Sequence, residues 1–143
     1  MVVDERDVEI LRFLMENSRT PLTEIAKRLG ISDVAVKKRL RKLEEEGVIR
    51  RYTVIIDPSK LGFRNVSITG IDVEPDKIFE VAEELSSRDY VKYVAITTGD
   101  HTIMAEIWAK DHSELTKILN EIEKMPGVKR ICPSIIVETI KHY

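Results

Sequence analysis

Two short apolar stripes of helical period, set on either side of a three-residue break, frame this chain. Leu22, Ile25, Ala26 and Leu29 recur at i, i+3, i+4 and i+7, and Val36, Leu40 and Leu43 at i, i+4 and i+7. Between them stand Gly30, Ile31 and Ser32. Glycine ends the first helix, Ile31 fills a buried turn, and Ser32 caps the second helix. Thr20-Pro21 opens the first, with Thr20 as cap and proline in the first turn, where its missing N–H costs nothing. Gly47 stops the second, which is predicted over residues 33–46. Two helices joined by a tight glycine turn make a helix-turn-helix. Upstream, Asp4 caps a further helix, with Asp7 as its capping-box partner. Val8, Ile10, Leu11, Phe13, Leu14 and Met15 make that helix apolar around most of its circumference. It is therefore expected to bury a second face, on a later domain or on a partner subunit.

Charge is concentrated on the second stripe's helix. Residues 1–52 carry 12 Lys and Arg against 10 Asp and Glu, whereas residues 53–143 carry 11 against 15. Five of the basic residues fall between positions 37 and 42. On a 100° wheel, Val34, Lys37, Lys38 and Arg41 lie opposite the apolar stripe, with Ala35 and Lys42 beside them and Arg39 near the core edge. A recognition helix needs this layout, because its N-terminal residues reach base edges while Lys and Arg neutralise phosphates. Small Ser32 and Ala35 permit close approach. Thr20, Asp33, Arg50 and Arg51 complete the expected DNA-contacting set. A solvated basic face balanced by Glu44, Glu45 and Glu46 is the alternative. The coincidence with a helix-turn-helix favours double-stranded DNA, and no aromatic residues interleave with the basic ones as an RNA platform would require.

Beyond Gly47, residues 48–56 read as a strand that Asp57-Pro58 breaks. Residues 57–64 read as a linker between a helix-turn-helix domain (1–56) and a second domain (65–143). The second domain alternates as strand 66–73, helix 76–87, strand 91–98, strand 102–109, helix 113–124 and strand 128–139, with a tight turn at Gly99-Asp100. Ile78, Val81, Ala82, Leu85, Val91 and Lys92 recur 37 positions later as Leu115, Ile118, Leu119, Ile122, Val128 and Lys129. The β-α-β-β-α-β order is ferredoxin-like, so the whole is an α+β chain. With both helices on one face of the sheet the other face stays open. It is expected to carry Val94 and Ile96, or Ile103, Ala105 and Ile107, and to need a partner copy.

Composition narrows the class. The chain has 143 residues, 43% hydrophobic and 34% charged, enough for one or two packed domains and too ordered for a disordered chain. No apolar run reaches the roughly 18 residues of a membrane span, and the N-terminus lacks a signal-peptide pattern, so a cytoplasmic location is expected. A complete lack of Gln, with only three Asn, is the bias of a thermophile. A single cysteine, Cys132, excludes an internal disulfide. His101, His112 and His142 are far apart in sequence, so no metal site and no cofactor are expected. Cys132 reads as a small buried hydrophobe or as a wall of a ligand cleft, and Trp108 as core or interface. No nucleophile elbow or phosphate loop is present, so the chain does not read as an enzyme.

The motifs DERDVEIL (4–11), RTPLTEIA (19–26), LGIS (29–32), VKKRLRKLEEEGVI (36–49), YTVIIDP (52–58), LG (61–62) and TTGD (97–100) together resemble the leucine-responsive/asparagine regulator (Lrp/AsnC) family, archaeal members above all. The resemblance covers nearly the whole chain. It implies a DNA-binding domain with a winged-helix-like helix-turn-helix, and a ferredoxin-like domain that assembles the protein and senses small molecules. It further implies homodimers, octameric rings of four dimers, a palindromic site, action as a repressor that can regulate its own gene, and an amino-acid effector. That effector would meet the loop of Thr98, Gly99, Asp100, His101 and Thr102, with Cys132 and Ser134 nearby. Glycine exposes backbone N–H groups to a carboxylate, and Asp100 suits an α-ammonium. Many relatives carry a second acidic residue where this chain has Thr102, which argues against a basic effector. The alternatives are a plain hairpin turn at Gly99-Asp100, an enzyme-regulatory domain with a helical appendage, and a non-specific DNA-wrapping protein.

Overall fold

The computed structural model describes residues 2–143. The chain divides into two compact units: residues up to 55 with Lys141–Tyr143, and Ile56–Ile140.

The first unit holds α1 (Glu5–Glu16), α2 (Leu22–Leu29) and α3 (Asp33–Glu45). The Asp4 side chain accepts from the Asp7 N–H at 2.9 Å, and the Asp7 carboxylate accepts from the Asp4 N–H at 3.1 Å, the reciprocal capping box expected. Ser32 caps α3 by accepting from the Ala35 N–H at 3.1 Å. Gly30, at φ 67°, takes the left-handed conformation that ends α2 and lets Ile31 turn inward. Thr20 does not cap α2. Pro21 occupies the cap position, and the Thr20 hydroxyl instead donates to the Asn17 carbonyl at 2.7 Å, closing the turn after α1. Ile10, Ile25, Ala26, Val36 and Leu40 form this unit's core, flanked by Phe13, Leu14, Leu22, Leu29, Ile31 and Ile49. Val8 and Met15 on α1 stay exposed within the unit, so its second apolar face is open.

The strand expected over residues 48–56 is not formed. These residues lie outside any helix or strand, and Tyr52, Val54, Ile55 and Ile56 are exposed. A strand exists only through a neighbour that satisfies its backbone, and no segment of the same chain pairs with this one among the described residues. Residues 58–61 coil into one 3-10 turn, which Asp57 caps through Ser59 and Gly62 closes at φ 92°.

The second unit runs β1 (Asn65–Val73), α4 (Ile78–Ser86), β2 (Val91–Ile96), β3 (Ile103–Ala109), α5 (His112–Glu123) and β4 (Val128–Ile135). The sheet is antiparallel throughout in the order β2-β3-β1-β4, the ferredoxin-like topology expected. Its last strand is shorter than the 128–139 predicted. Ile71, Val73, Ile103, Ala105, Ile107 and Ala109 face α4 and α5, where Val81, Leu85, Leu115, Ile118 and Ile122 complete the core. That reverses part of the expectation. Ile103, Ala105 and Ile107 are fully buried under the helices, and Val94 packs against the same core. Side chains alternate along a strand, so the open face carries the other parity: Ile68, Gly70 and Asp72 on β1, Met104, Glu106 and Trp108 on β3, and Arg130, Cys132 and Ser134 on β4. Trp108 is half-buried there, tilted against Phe63 at 5.6 Å, with the Lys92 ammonium 5.2 Å from its ring. No helix among the described residues is long and apolar enough to cross a membrane.

Candidate functional site

The basic helix is assembled as its periodicity requires. Val36 and Leu43 are fully buried and Leu40 nearly so, which fixes the rotation of α3 on α1 and α2. Asp33, Val34, Lys37, Lys38, Arg41 and Lys42 are exposed on the other side, and Ala35 is half-buried beside them. Ser32 is exposed at the N-terminus, and Arg50 and Arg51 are exposed just beyond α3. Val34 is 73% exposed, an unusual place for an apolar side chain at the start of a polar helix face.

Arg39 does not join this group. Its Nη1 lies 2.7 Å from Asp4 Oδ2 and 2.9 Å from Asp7 Oδ1, tying α3 to the cap of α1. Asp7 is only 5% exposed, so one of these pairs is sheltered. The Arg39 hydrogen bond, followed by the Asp7 backbone N–H, holds the Asp4 carboxyl below its ordinary range. Thr20 is half-buried, and its hydroxyl is engaged with the Asn17 carbonyl. The acidic partners of Arg39 stand 32 and 35 positions away, so the wheel alone placed Arg39 only at the core edge. Beyond α3, the Tyr52 hydroxyl donates to Glu44 at 2.8 Å. Burial first, and then this bond, push the Tyr52 phenol up to about 12.

The loop between β2 and β3 forms the second candidate site. The Thr97 N–H donates to the Thr102 carbonyl at 2.8 Å, and the Thr97 hydroxyl to the His101 carbonyl at 2.7 Å, closing a tight loop. Thr98, Gly99 and Asp100 form its exposed tip, with Gly99 at φ 121°. Thr102 is turned inward, and its hydroxyl accepts from the Val73 N–H. The His101 ring folds back over Gly70, so closely that a Cβ on residue 70 would collide with it. Its Nδ1 lies 2.9 Å from Asp72 Oδ1, and Arg130 Nε donates to Asp72 Oδ2 at 3.0 Å. The His101 hydrogen bond leads the causes that lower the Asp72 carboxyl, with Arg130 adding to it. Cys132, a free half-buried thiol, pairs in register with Gly70, and Ser134 is exposed two residues further along β4. Asp72 was missed in the sequence. The β1–β4 register brings it to Cys132 and the β1–β3 register to His101, although its period-2 relation to Gly70 was visible.

Three short helices exposing a basic face, joined to a ferredoxin-like domain with one open sheet face, define a helix-turn-helix regulator with an assembly or sensing domain. Comparison with known proteins agrees. Residues 3–50 match the winged helix-turn-helix DNA-binding family model, and residues 66–143 match the Lrp/AsnC ligand binding domain. The HTH-type transcriptional regulators LrpA of Pyrococcus horikoshii and Pyrococcus abyssi are 51% and 52% identical, over 98% of this chain and 100% of each relative. Among solved structures, a feast or famine regulatory protein from M. tuberculosis complexed with L-methionine superposes with a TM-score of 0.86. It is 26% identical, over 99% of this chain and 96% of that one. E. coli AsnC, 24% identical over 100% of this chain and 97% of that one, shares the fold with a TM-score of 0.86. The chain belongs to the Lrp/AsnC family, as a DNA-binding transcription regulator of archaeal type.

Proposed function

We propose that α3 docks in the major groove of a palindromic operator and that the protein acts as a cytoplasmic repressor, able to regulate its own gene. The observation that carries this is the exposed row Val34, Lys37, Lys38, Arg41 and Lys42, opposite a fully seated Val36-Leu40-Leu43 stripe. Ser32, Asp33 and Ala35 border the bases, and Arg50 and Arg51 extend the phosphate contacts. Arg39 supports the docking through Asp4 and Asp7 instead of through DNA, and Thr20 contributes by shaping the turn before α2. Residues 1–56 form the DNA-binding part, 57–64 the connection and 65–143 the part that assembles.

The reading includes a homodimer that builds an octamer of four dimers. Two unpartnered features support self-association: the exposed Tyr52, Val54, Ile55 and Ile56 and the open face of the sheet. It also includes an amino-acid effector at Thr98, Gly99, Asp100, His101 and Thr102, beside Cys132 and Ser134. The exposed Gly99-Asp100 tip supports this, as does the L-methionine complex of the mycobacterial relative.

The experiment is DNA binding to the protein's own upstream region, in competition with unrelated DNA. Specific binding that drops sharply in the Lys38→Ala plus Arg41→Ala double variant is expected. Unchanged binding by that variant sinks the docking assignment, and equal competition by unrelated DNA favours a wrapping protein. Melting shifts with single amino acids test the effector, because a ligand of the folded state stabilises it by the logarithm of its excess over Kd.

A further inference from the structure

From the side chains gathered on the open sheet face, we propose that Asp72, His101 and Cys132 form a binding site for a borderline-soft divalent metal ion of the zinc class. One donor atom from each lies within 4.8 Å of the other two, and all three residues are half-buried. They come from three separate segments: β1, the β2–β3 loop and β4. This site does not rest on the amino-acid reading of the loop tip.

The donor chemistry is selective. A carboxylate, an imidazole and a thiolate suit zinc and its neighbours, whereas calcium and magnesium want oxygen donors throughout. Two of the three donors are anionic when bound, which neutralises the ion's charge. Three protein ligands leave one tetrahedral position for water or a small ligand.

The backbone arrangement prepares the site. Gly70, the register partner of Cys132 and two residues before Asp72, has no side chain, and the His101 ring fills the space a Cβ would take. Arg130 holds Asp72 Oδ2 at 3.0 Å and so orients Oδ1 toward the imidazole. Arg130 is itself 66% exposed, so its charge is screened by water. Donors around tetrahedral zinc lie about 3.5 Å apart, given bonds of roughly 2.0–2.3 Å. Side-chain rotation at Asp72 and Cys132 closes the remaining ångström or so. Binding exchanges the His101–Asp72 hydrogen bond and the thiol proton for metal bonds, and it ties the β2–β3 loop to both β1 and β4. Protons leave as the ion enters, so acid weakens the site.

The test is titration of the full-length protein, stripped by chelator, with cobalt(II) alone and no amino acid present. The expected result is a thiolate-to-cobalt charge-transfer band with the visible bands of a tetrahedral ion. Both saturate at one ion per chain and are displaced by zinc. Cys132→Ser should abolish the charge-transfer band, while His101→Gln and Asp72→Asn should each weaken binding at least about tenfold. Zinc should raise the melting temperature of the wild type and not of Cys132→Ser, whose small change of one atom preserves the fold. Three results would overturn the proposal: only octahedral aqueous cobalt, saturation at one ion per two chains, or unchanged affinity in His101→Gln.

Discussion

Arg39 sits in the middle of the basic run yet serves the fold, and replacing it separates the two roles. In Arg39→Met the stem still packs, but the guanidinium is lost. Asp7 then keeps one partner, the Asp4 N–H on Oδ2, while Oδ1 is left with no partner in a site only 5% exposed. Removing one member of a fully buried pair costs about 3–5 kcal/mol, and an orphaned acceptor about 1–3 kcal/mol. Arg39 is itself 28% exposed, so water reaches part of the gap and the lower range applies. The Asp4 arm is half exposed and adds little. The expected loss is about 2 kcal/mol, which for so small a unit lowers its melting temperature by about 10 °C. A double-mutant cycle with Asp7→Asn should show that most of this loss is coupling between the two residues. The sign with pH follows from Asp4. Its carboxyl is held below the ordinary range, so its contribution is present above that range and disappears as pH falls through the lowered value. Arg39→Met should therefore be less sensitive than the wild type over the same acid interval. DNA binding by the folded variant should keep its salt dependence. A variant of unchanged stability whose salt slope falls by about 0.9 per subunit would refute this reasoning, because Arg39 would then be a phosphate contact.

Val34→Ala should leave the melting temperature unchanged, since Val34 is 73% exposed, but weaken operator binding by about tenfold without affecting unrelated DNA. In the proposed docking, replacing contacted thymines by deoxyuridine should mimic the variant, because both would remove an apolar contact with the thymine methyl. Ile107→Ala, at a fully buried position between α4 and α5, should destabilise the second unit by about 3 kcal/mol, measured by denaturant unfolding. Spectrophotometric titration should find one tyrosine ionising at about 12, and Tyr52→Phe should remove it. Because that phenol is raised, the stability it contributes is complete below pH 10 and is lost as pH climbs through 12.

What could be read from the sequence followed how local its cause was. Caps, glycine stops and apolar periods act within a few residues. Asp4, Ser32, Gly30 and the Val36-Leu40-Leu43 stripe accordingly stand where their spacing places them. Thr20 shows the limit of that approach. A threonine before a proline suits a cap, but the Asn17 carbonyl is within reach and takes the hydroxyl. Parity on β3 was a two-way choice in the sequence, because Ile103, Ala105 and Ile107 alternate with residues that are themselves only partly polar. The helices covering one face decide it. The Asp72-His101-Cys132 cluster needed the strand register, which depends on contacts up to 68 residues apart (Ser67 with Ile135), and no local signal encodes it.

Residues 48–56 have the β-branched and aromatic composition of a strand, yet they form none in this chain. Both statements are physically consistent. β propensity describes how side chains suit a pleated, half-buried surface, and it creates no strand without a second backbone. Here Tyr52, Val54, Ile55 and Ile56 carry the composition of a strand and remain exposed, while Tyr52 is anchored to Glu44 at one end and Asp57 caps a turn at the other. A two-fold partner would bring the same segment antiparallel to itself, supplying the missing ladder and covering the apolar side chains at once. The segment thus argues for self-association more strongly than the sheet face does. The sheet face loses only apolar cover without a partner, whereas an isolated strand-forming segment also lacks its hydrogen-bonding mate.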